Sequence, residues 1–241
     1  MWSEYVGPDT IDSRIWPRLA AIAERFWSPR EVRDVADMYR RLDRTSTWLE
    51  QLGLAHEKNV GMFTRRLANG GDAAAVQTLV GVVEPVEGYK RSQEFKKARG
   101  TAPTQQWPLT RLVDAAWPDS RERYRVDALV TRLLADAPAY DRGRSELQAT
   151  FTRWQQAASA LPPLIDGAPA LHEARPLAER LRTTADAGLA ALAWLGQGGA
   201  PGQEWTDATL DQLKRAAEPV AEVELVVIEP VKRLVEAAAR R

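Results

Sequence analysis

The chain has 241 residues, of which 44% are hydrophobic, and Lys+Arg and Asp+Glu balance at 33 each. This length suffices for one large or two modest domains, and the apolar fraction argues against global disorder. Because the net charge is zero, no basic field favours nucleic acid or an anionic membrane as a partner. The sequence has no cysteine, which excludes disulfides, thiolate catalysis and thiolate metal sites.

Neither a membrane span nor a signal peptide is visible in the sequence. No stretch approaches the ~18 apolar residues that a span requires. Met1 runs directly into Trp-Ser-Glu-Tyr, without a basic region or an apolar region behind it. The sequence therefore does not identify the compartment. If Met1 is not the natural start, a periplasmic or secreted location of the parent protein is compatible with the sequence.

The first predicted elements are a strand and a helix. Residues 1–6 predict a short strand, which a Gly-Pro-Asp turn signal ends. A helix is predicted from about Ser13 to Trp27, with Pro17 in its first turn, where a missing N–H is tolerated. Its apolar face repeats at helical spacing and comprises Ile15, Leu19, Ile22, Ala23 and Phe26.

Helical patterns continue along the next part of the chain. Helices are predicted over 30–52, 55–68 and 72–84, each followed by glycine or proline. Glycine and proline punctuate residues 88–118, which predicts an irregular stretch with one short helical piece at 109–116.

The remaining chain is again helix-patterned, and glycine or proline separates its segments. The last segment contains Pro219 and Pro230, which predict a kink or break at each. The predicted helices are 119–136, 143–160, 168–195 and 206–240. We divide the chain into a terminal strand and helix (1–28), a helical extension (29–118) and a C-terminal helical bundle (119–241).

These elements predict an all-α fold, a helical array or bundle with one short N-terminal strand. A lone strand cannot satisfy its own backbone N–H and C=O groups in a buried setting. The strand therefore needs a neighbouring sheet, which the rest of the pattern does not supply.

The predicted strand carries the candidate binding residues, Trp2 and Glu4. Side chains at i and i+2 of a strand share a face, so the indole and the carboxylate project together. The indole can pack on the apolar face of a pyranose while the carboxylate accepts hydrogen bonds from hydroxyls. The spacing alone is common, and an interface tryptophan beside a solvated glutamate is the alternative.

A longer run around these residues is more specific. Trp2-Ser3-Glu4-Tyr5-Val6, followed by Asp12-Ser13-Arg14-Ile15-Trp16-Pro17-Arg18 and the continuation to Ser28, resembles the end of the catalytic domain of glycoside hydrolase family 20. The family pattern is a W-x-E strand, a short loop and a helix close to W-P-R-x-x-A-x-A-E-R-x-W-S. A looser likeness continues to about residue 120, and the strand and helix would be the last of a (β/α)8 barrel.

The resemblance implies a β-N-acetylhexosaminidase, which removes terminal N-acetylhexosamine residues from glycans. In that family the 2-acetamido group of the substrate is the nucleophile, an Asp orients it and a Glu is the general acid/base. By matching position, Trp2 would line the subsite of the sugar to be cleaved and Glu4 would bind its hydroxyls. The resemblance implies no cofactor, and the partner would be an N-acetylhexosamine-containing glycan.

The catalytic Asp-Glu pair of the family has no counterpart in this sequence, which contains no Asp-Glu dipeptide. The run Asn69-Gly70-Gly71-Asp72-Ala73 is a superficial echo with alanine where the acid should be. We interpret the glycines as a helix C-cap and Asp72 as an N-cap. We expect the C-terminal part of a hexosaminidase, inactive by itself; the alternative is a non-catalytic helical interaction module.

Without a barrel, the apolar face of the helix at 13–27 must be covered by downstream helices or by another chain, or stay exposed. The expected partners are therefore the missing barrel or a second copy of the chain, and the isolated chain should dimerise or be poorly soluble.

Other candidate sites are weaker. His56 and His172 lack partners at ligand spacing, so no metal site is predicted. Trp154 and Trp194 are expected in the core, whereas Trp107 and Trp117 could serve as carbohydrate platforms. The basic residues are interleaved with acids and are expected on solvated helix faces: Arg14, Arg18, Arg25, Arg40, Arg41, Arg44, Lys90, Arg91, Lys96, Lys97 and Arg99.

Overall fold

A computed structural model describes residues 5–104, 106–135 and 141–240 of the chain. Most of the strand predicted at 1–6 lies outside the described residues, and Tyr5 and Val6 are not in a strand. The described part is mostly helical, with two strands of three residues each. The all-α fold class is therefore confirmed.

The first predicted helix is in fact two helices. α1 spans Ile11–Ile15 and α2 spans Arg18–Trp27. The prediction of one helix with Pro17 in its first turn was wrong. A proline disfavours helical backbone in the residue before it, and Trp16 is extended, with φ −107° and ψ 150°.

The next three helices end close to the residues predicted from the sequence. α3 spans Val35–Gln51, α4 spans His56–Ala68 and α5 spans Ala73–Val82. α4 ends where Asn69 and Gly70 take positive φ values of 46° and 86°. Asp72 Oδ1 accepts a hydrogen bond of 2.9 Å from Ala74 N. The interpretation of Asp72 as an N-cap is confirmed, whereas the C-cap residue of α4 is Asn69 and not one of the two glycines.

The two strands were not predicted. β1, Val83–Pro85, pairs antiparallel with β2, Val223–Leu225, and Val83 lies opposite Leu225. The helices predicted over 72–84 and 206–240 are interrupted here, and the prediction of a single strand was wrong. Strands this short carry no periodic signal, and each satisfies its backbone groups only through a partner far away in sequence.

The stretch predicted as irregular contains two helices, α6 at Lys90–Arg99 and α7 at Leu112–Ala115. Good helix formers fill α6, and it ends at Gly100, whose φ is +69°. The punctuating prolines lie after α6, so the irregular segment is shorter than predicted.

Long helices complete the fold. They are α8 (Arg121–Ala135), α9 (Asp141–Gly167), α10 (Arg175–Gln197), α11 (Gln203–Ala216) and α12 (Ile228–Ala239). A 3-10 helix at Pro169–Ala174 precedes α10.

Two proline predictions were wrong. α9 was expected to end before Pro162 and Pro163, but both lie inside it. Leu161 and Ile165, on either side, are fully buried, so core packing outweighs the ~3 kcal/mol that a proline costs in a helix. Pro230 lies in the first turn of α12, where its missing N–H breaks no hydrogen bond. The break near Pro219 is confirmed.

One continuous apolar core lies among these helices. α10 packs along α9 and also touches α11 and α12. Gly188 allows the close approach of α10 to α9, since a Cβ there would lie 2.7 Å from Phe151 Cε2. Core residues come from both sides of position 118, for example Val113 and Val130. The division into 1–28, 29–118 and 119–241 stays a prediction.

Candidate functional site

A groove of about 960 Å³ opens beside Tyr5, the described residue nearest in sequence to the candidate binding residues. We call it the N-terminal groove. Its walls come from the segment after Tyr5, from α1, from the loop after β1, from the start of α6 and from the end of the α7–α8 connection. The residues that line it include Tyr5, Arg14, Pro85, Arg91, Ser92 and Asp119.

Trp2 and Glu4 lie outside the described residues. Their assignment as substrate-binding residues therefore stays a prediction. Tyr5, which is bonded to Glu4, is held by α6: its Oη lies 2.9 Å from Ser92 Oγ, and the Arg91 guanidinium carbon lies 3.7 Å from the centre of its ring. The Tyr5 side chain thus contacts α6 through its ring and its hydroxyl.

A buried ion network lies behind this contact. Arg91 Nη2 donates to Asp114 Oδ1 at 2.6 Å and Arg91 Nε donates to Glu222 Oε2 at 3.0 Å. Arg111 pairs with the other oxygen of Glu222 and with Glu173. Burial lowers the pKa of Arg111, but its bonds to Glu173 and Glu222 outweigh burial and raise it. The network joins α6, α7 and the residue before β2.

Arg14 fixes α1 to the C-terminal end of α7. Its guanidinium donates to the carbonyl oxygens of Ala116 at 2.6 Å, Asp114 at 3.0 Å and Val113 at 3.2 Å. Burial, with a smaller contribution from nearby Arg91, lowers the pKa of Arg14 to about 10. Arg14 is therefore still cationic at neutral pH, and a cation suits the carbonyl end of a helix.

The prediction that Arg14 and Arg91 lie on solvated helix faces was wrong, since they are only 8% and 7% exposed. Their partners are 23 to 131 residues away in sequence. Helical spacing identifies only partners three or four positions apart. No local signal in the sequence could have identified these arginines, or Asp114 and Glu222, as a cluster.

A second, smaller cavity of about 350 Å³ lies between α2, α3 and the segment before α8. Its walls are largely apolar and include Trp16, Met38, Tyr39 and Trp117. Tyr39 packs on Tyr124 with ring centres 4.5 Å apart. Burial, with a hydrogen bond to Tyr124, raises the pKa of the Tyr39 hydroxyl, which keeps it neutral. This cavity brings no catalytic acid and base together.

The tryptophans divide between core and surface. Trp154 is fully buried, as predicted. Trp194 packs partly buried against the core. Trp107 meets Phe95 edge to face with ring centres 4.9 Å apart, and Trp117 lines the smaller cavity. A carbohydrate role for these last two stays a prediction.

His56 begins α4 and is completely buried. Its Nε2 lies 2.7 Å from Ser46 Oγ, and its Nδ1 has no hydrogen-bond partner among the described residues. Burial lowers the pKa of His56 below the ordinary value of 6.5, against the opposing charges of Glu57 and Glu50. The N-terminal end of a helix also disfavours a cation. The folded chain therefore holds His56 neutral.

We expect the protein to lose stability below about pH 6.5, because the unfolded chain then binds a proton at His56 that the folded chain does not. The measurement is the free energy of unfolding in urea at pH 7.5 and at pH 5.5 for the parent and for His56→Gln. His56→Gln should lose less stability across this range. The exposed His172→Gln is the control and should follow the parent; equal losses in all three proteins would contradict the assignment.

Among residues 5–104, 106–135 and 141–240, no three histidine, aspartate or glutamate side chains are grouped as metal ligands. No helix in the described ranges is long and apolar enough to cross a membrane.

Comparisons with known proteins agree with the motif at the start of the chain. The family model described as glycosyl hydrolase family 20, catalytic domain, matches residues 1–30. The β-hexosaminidase subunit beta of Homo sapiens is 42% identical over 55 residues, which are 23% of this chain and 10% of that protein. The probable β-hexosaminidase fdl of Drosophila melanogaster is 39% identical over 62 residues, 24% of this chain and 9% of that protein.

A solved structure matches nearly the whole chain. It is the X-ray structure of Flavobacterium johnsoniae chitobiase, FjGH20, with a TM-score of 0.81 and 33% sequence identity. The match covers 98% of this chain and 34% of the chitobiase. The chain thus spans about a tenth of the curated relatives it matches and about a third of the chitobiase.

These matches define a helical relative of the glycosyl hydrolases. More particularly, the chain is related to the β-hexosaminidases of glycoside hydrolase family 20.

Proposed function

We propose that this chain is the C-terminal part of a β-N-acetylhexosaminidase. The observation that carries the proposal is the chitobiase match, which extends at 33% identity over 98% of this chain but over only 34% of the chitobiase. The family's catalytic-domain model matches only residues 1–30, which supports assigning the rest of this chain to a part that follows that domain. The complete enzyme would hydrolyse terminal N-acetylhexosamine residues of glycans by a substrate-assisted retaining mechanism.

In this mechanism the chain supplies binding groups and no proton donor. Trp2 would pack on the sugar held in the cleavage subsite, and Glu4 would accept hydrogen bonds from its hydroxyls. These 241 residues contain no adjacent Asp-Glu pair. The Asp that orients the acetamido group and the Glu that acts as general acid/base would therefore come from the rest of the enzyme. The chain by itself should therefore be inactive, since binding groups alone provide neither proton transfer nor a positioned nucleophile.

The exposed face of α2 supports the proposal that another domain packs against this chain in the complete enzyme. Phe26 is 84% exposed, Trp27 is 90% exposed and Ile22 is 43% exposed. No residue of α2 is fully buried, although its apolar residues repeat at helical spacing. Exposed aromatic side chains grouped on one helix are typical of a surface that another body covers. We assign the catalytic barrel as that body.

The experiment compares hydrolysis of a chromogenic N-acetylglucosaminide by this chain and by the protein extended upstream through its reading frame. The extended protein should contain a His-x-Gly-Gly-Asp-Glu motif and should hydrolyse the substrate, whereas the short chain should not. In the extended protein, Glu4→Gln should raise KM about 10- to 100-fold, the range expected for a charged hydrogen bond. Activity in the short chain, or unrelated sequence upstream, would overturn the proposal.

The isolated chain should also self-associate through the exposed face of α2, because no barrel covers it. Light scattering of the 241-residue chain is expected to give a dimer or larger species. Phe26→Ser should shift the distribution toward monomer. Trp48→Ser removes an aromatic that is 59% exposed on α3, and this control should leave the distribution unchanged. A monodisperse monomer that binds no hydrophobic dye would contradict the expectation.

A further inference from the structure

The cavity of about 350 Å³ between α2, α3 and the segment before α8 is lined by three aromatic side chains, Trp16, Tyr39 and Trp117. We call it the α2–α3 cavity. Its volume lies within the range of about 300–1,000 Å³ that is typical of small-molecule sites. Because its walls are largely apolar, water inside it has few hydrogen-bond partners. The apolar face of a ligand can therefore replace that water favourably.

Two of the aromatic rings are held in place by neighbours. Tyr39 packs on Tyr124 with ring centres 4.5 Å apart. The Arg121 guanidinium carbon lies 5.4 Å from the centre of the Trp117 ring, and Arg121 Nη2 lies 2.7 Å from Glu57 Oε1. The walls are thus formed before any ligand binds, which reduces the entropy that binding would cost.

An ion pair supplies the polar part of the lining. Arg18 Nη1 donates to Asp119 Oδ2 at 3.3 Å, and both residues line the cavity. Their side chains are 39% and 44% exposed. A guanidinium has five N–H donors and a carboxylate has several acceptor sites, and this contact uses one of each. The pair offers donors and acceptors side by side, and its charges balance, which suits the hydroxyls of a neutral ligand.

From this combination we infer that the α2–α3 cavity binds a pyranose ring of a neutral carbohydrate. The aromatic rings would cover the apolar C–H faces of the sugar, and Arg18 and Asp119 would bind its hydroxyls. A purely aromatic ligand fits the same walls, but it would displace water from the ion pair without replacing the hydrogen bonds, which lowers affinity. Every lining residue lies between Ser13 and Arg121, so this site is independent of the proposed function.

The experiment measures binding of N-acetylglucosamine to the 241-residue chain by saturation-transfer difference NMR, with the dissociation constant taken from a titration. We expect saturation of the sugar ring protons in the parent. Trp117→Ala should weaken binding about tenfold through the lost stacking surface. Arg18→Met keeps most of the apolar stem and removes the donors, so it should weaken binding about tenfold or more.

A second variant fills the cavity and removes none of its walls. Ala21 lines the cavity from α2, so Ala21→Leu should abolish saturation transfer to the sugar. Ala23→Leu is the matched control, since it makes the same change on the same helix at an exposed position outside the cavity lining. It should bind the sugar as the parent does.

Indole, a planar apolar probe, distinguishes the two kinds of ligand. Binding of indole without binding of N-acetylglucosamine would overturn the carbohydrate assignment. Equal sugar binding by the parent and Ala21→Leu would place the sugar elsewhere and overturn it as well. Melting curves identify a variant that fails to fold, and in that case Arg18→Met, at a partly exposed position, decides the outcome: an unchanged dissociation constant would contradict the site.

Discussion

Replacing Glu222 by alanine is expected to lower the free energy of unfolding by about 3–5 kcal/mol, the cost of removing one partner from a buried ion pair. Glu222 is 2% exposed, and its two carboxylate oxygens bind Arg91 and Arg111. Without it, two buried guanidinium groups lose a charged acceptor in a region from which water is excluded. Urea unfolding of the 241-residue chain at a fixed pH measures the effect.

The control for Glu222 is a glutamate whose ion pair is exposed to water. Glu229 has 68% of its side chain exposed and pairs with Lys232 at 3.8 Å, so Glu229→Ala should change stability by less than about 0.5 kcal/mol. Glu222→Gln separates charge from shape, because it keeps the side-chain volume and one acceptor oxygen. A loss below about 1 kcal/mol in Glu222→Ala would mean that the network contributes little, the typical result for exposed pairs.

Trp154→Ala is expected to have an effect of similar size, about 3–5 kcal/mol, through loss of apolar burial and creation of a cavity. Trp154 is fully buried in α9, and its ring centre lies 5.2 Å from that of Phe151. α9 packs against α5, α8 and α10, and a cavity that its neighbours fill only partly adds to the loss of stability. The free energy of unfolding in urea is again the measurement.

Two further variants test the reason for this effect. The Trp154 Nε1 group is buried without a hydrogen-bond partner among the described residues. Trp154→Phe removes this unsatisfied donor along with part of the volume, so it should cost less than half as much as Trp154→Ala. Trp27→Ala removes the same side chain from a site that is 90% exposed and should cost less than about 0.5 kcal/mol. Similar losses at Trp27 and Trp154 would contradict a burial mechanism.

The stability experiments and the functional experiments address different parts of the molecule. Glu222 and Trp154 lie within the helical body, while Trp2 and Glu4 are the predicted contacts with sugar. Arg91 belongs to the buried network and also contacts Tyr5.

The sequence by itself determined the fold class, the family relationship and most helix ends. Apolar residues at helical spacing and caps such as Asp72 act between neighbours in the chain, so their effect can be read from local order. The W-x-E segment and the helix motif after it are likewise patterns of residues that are close together in the sequence. They sufficed to identify a relative of the family 20 hexosaminidases and to show that its catalytic Asp-Glu pair is absent from these residues.

Only the tertiary structure decided which polar side chains lie together. Arg91, Asp114 and Glu222 form one buried network although 131 residues separate the first from the last. The same holds for β1 and β2, and for the prolines that α9 accommodates. In each case the deciding free energy comes from contacts between distant segments, such as a shared ion pair, a strand partner or a packed core. The local sequence does not identify those distant partners, so periodicity and capping could not predict these contacts.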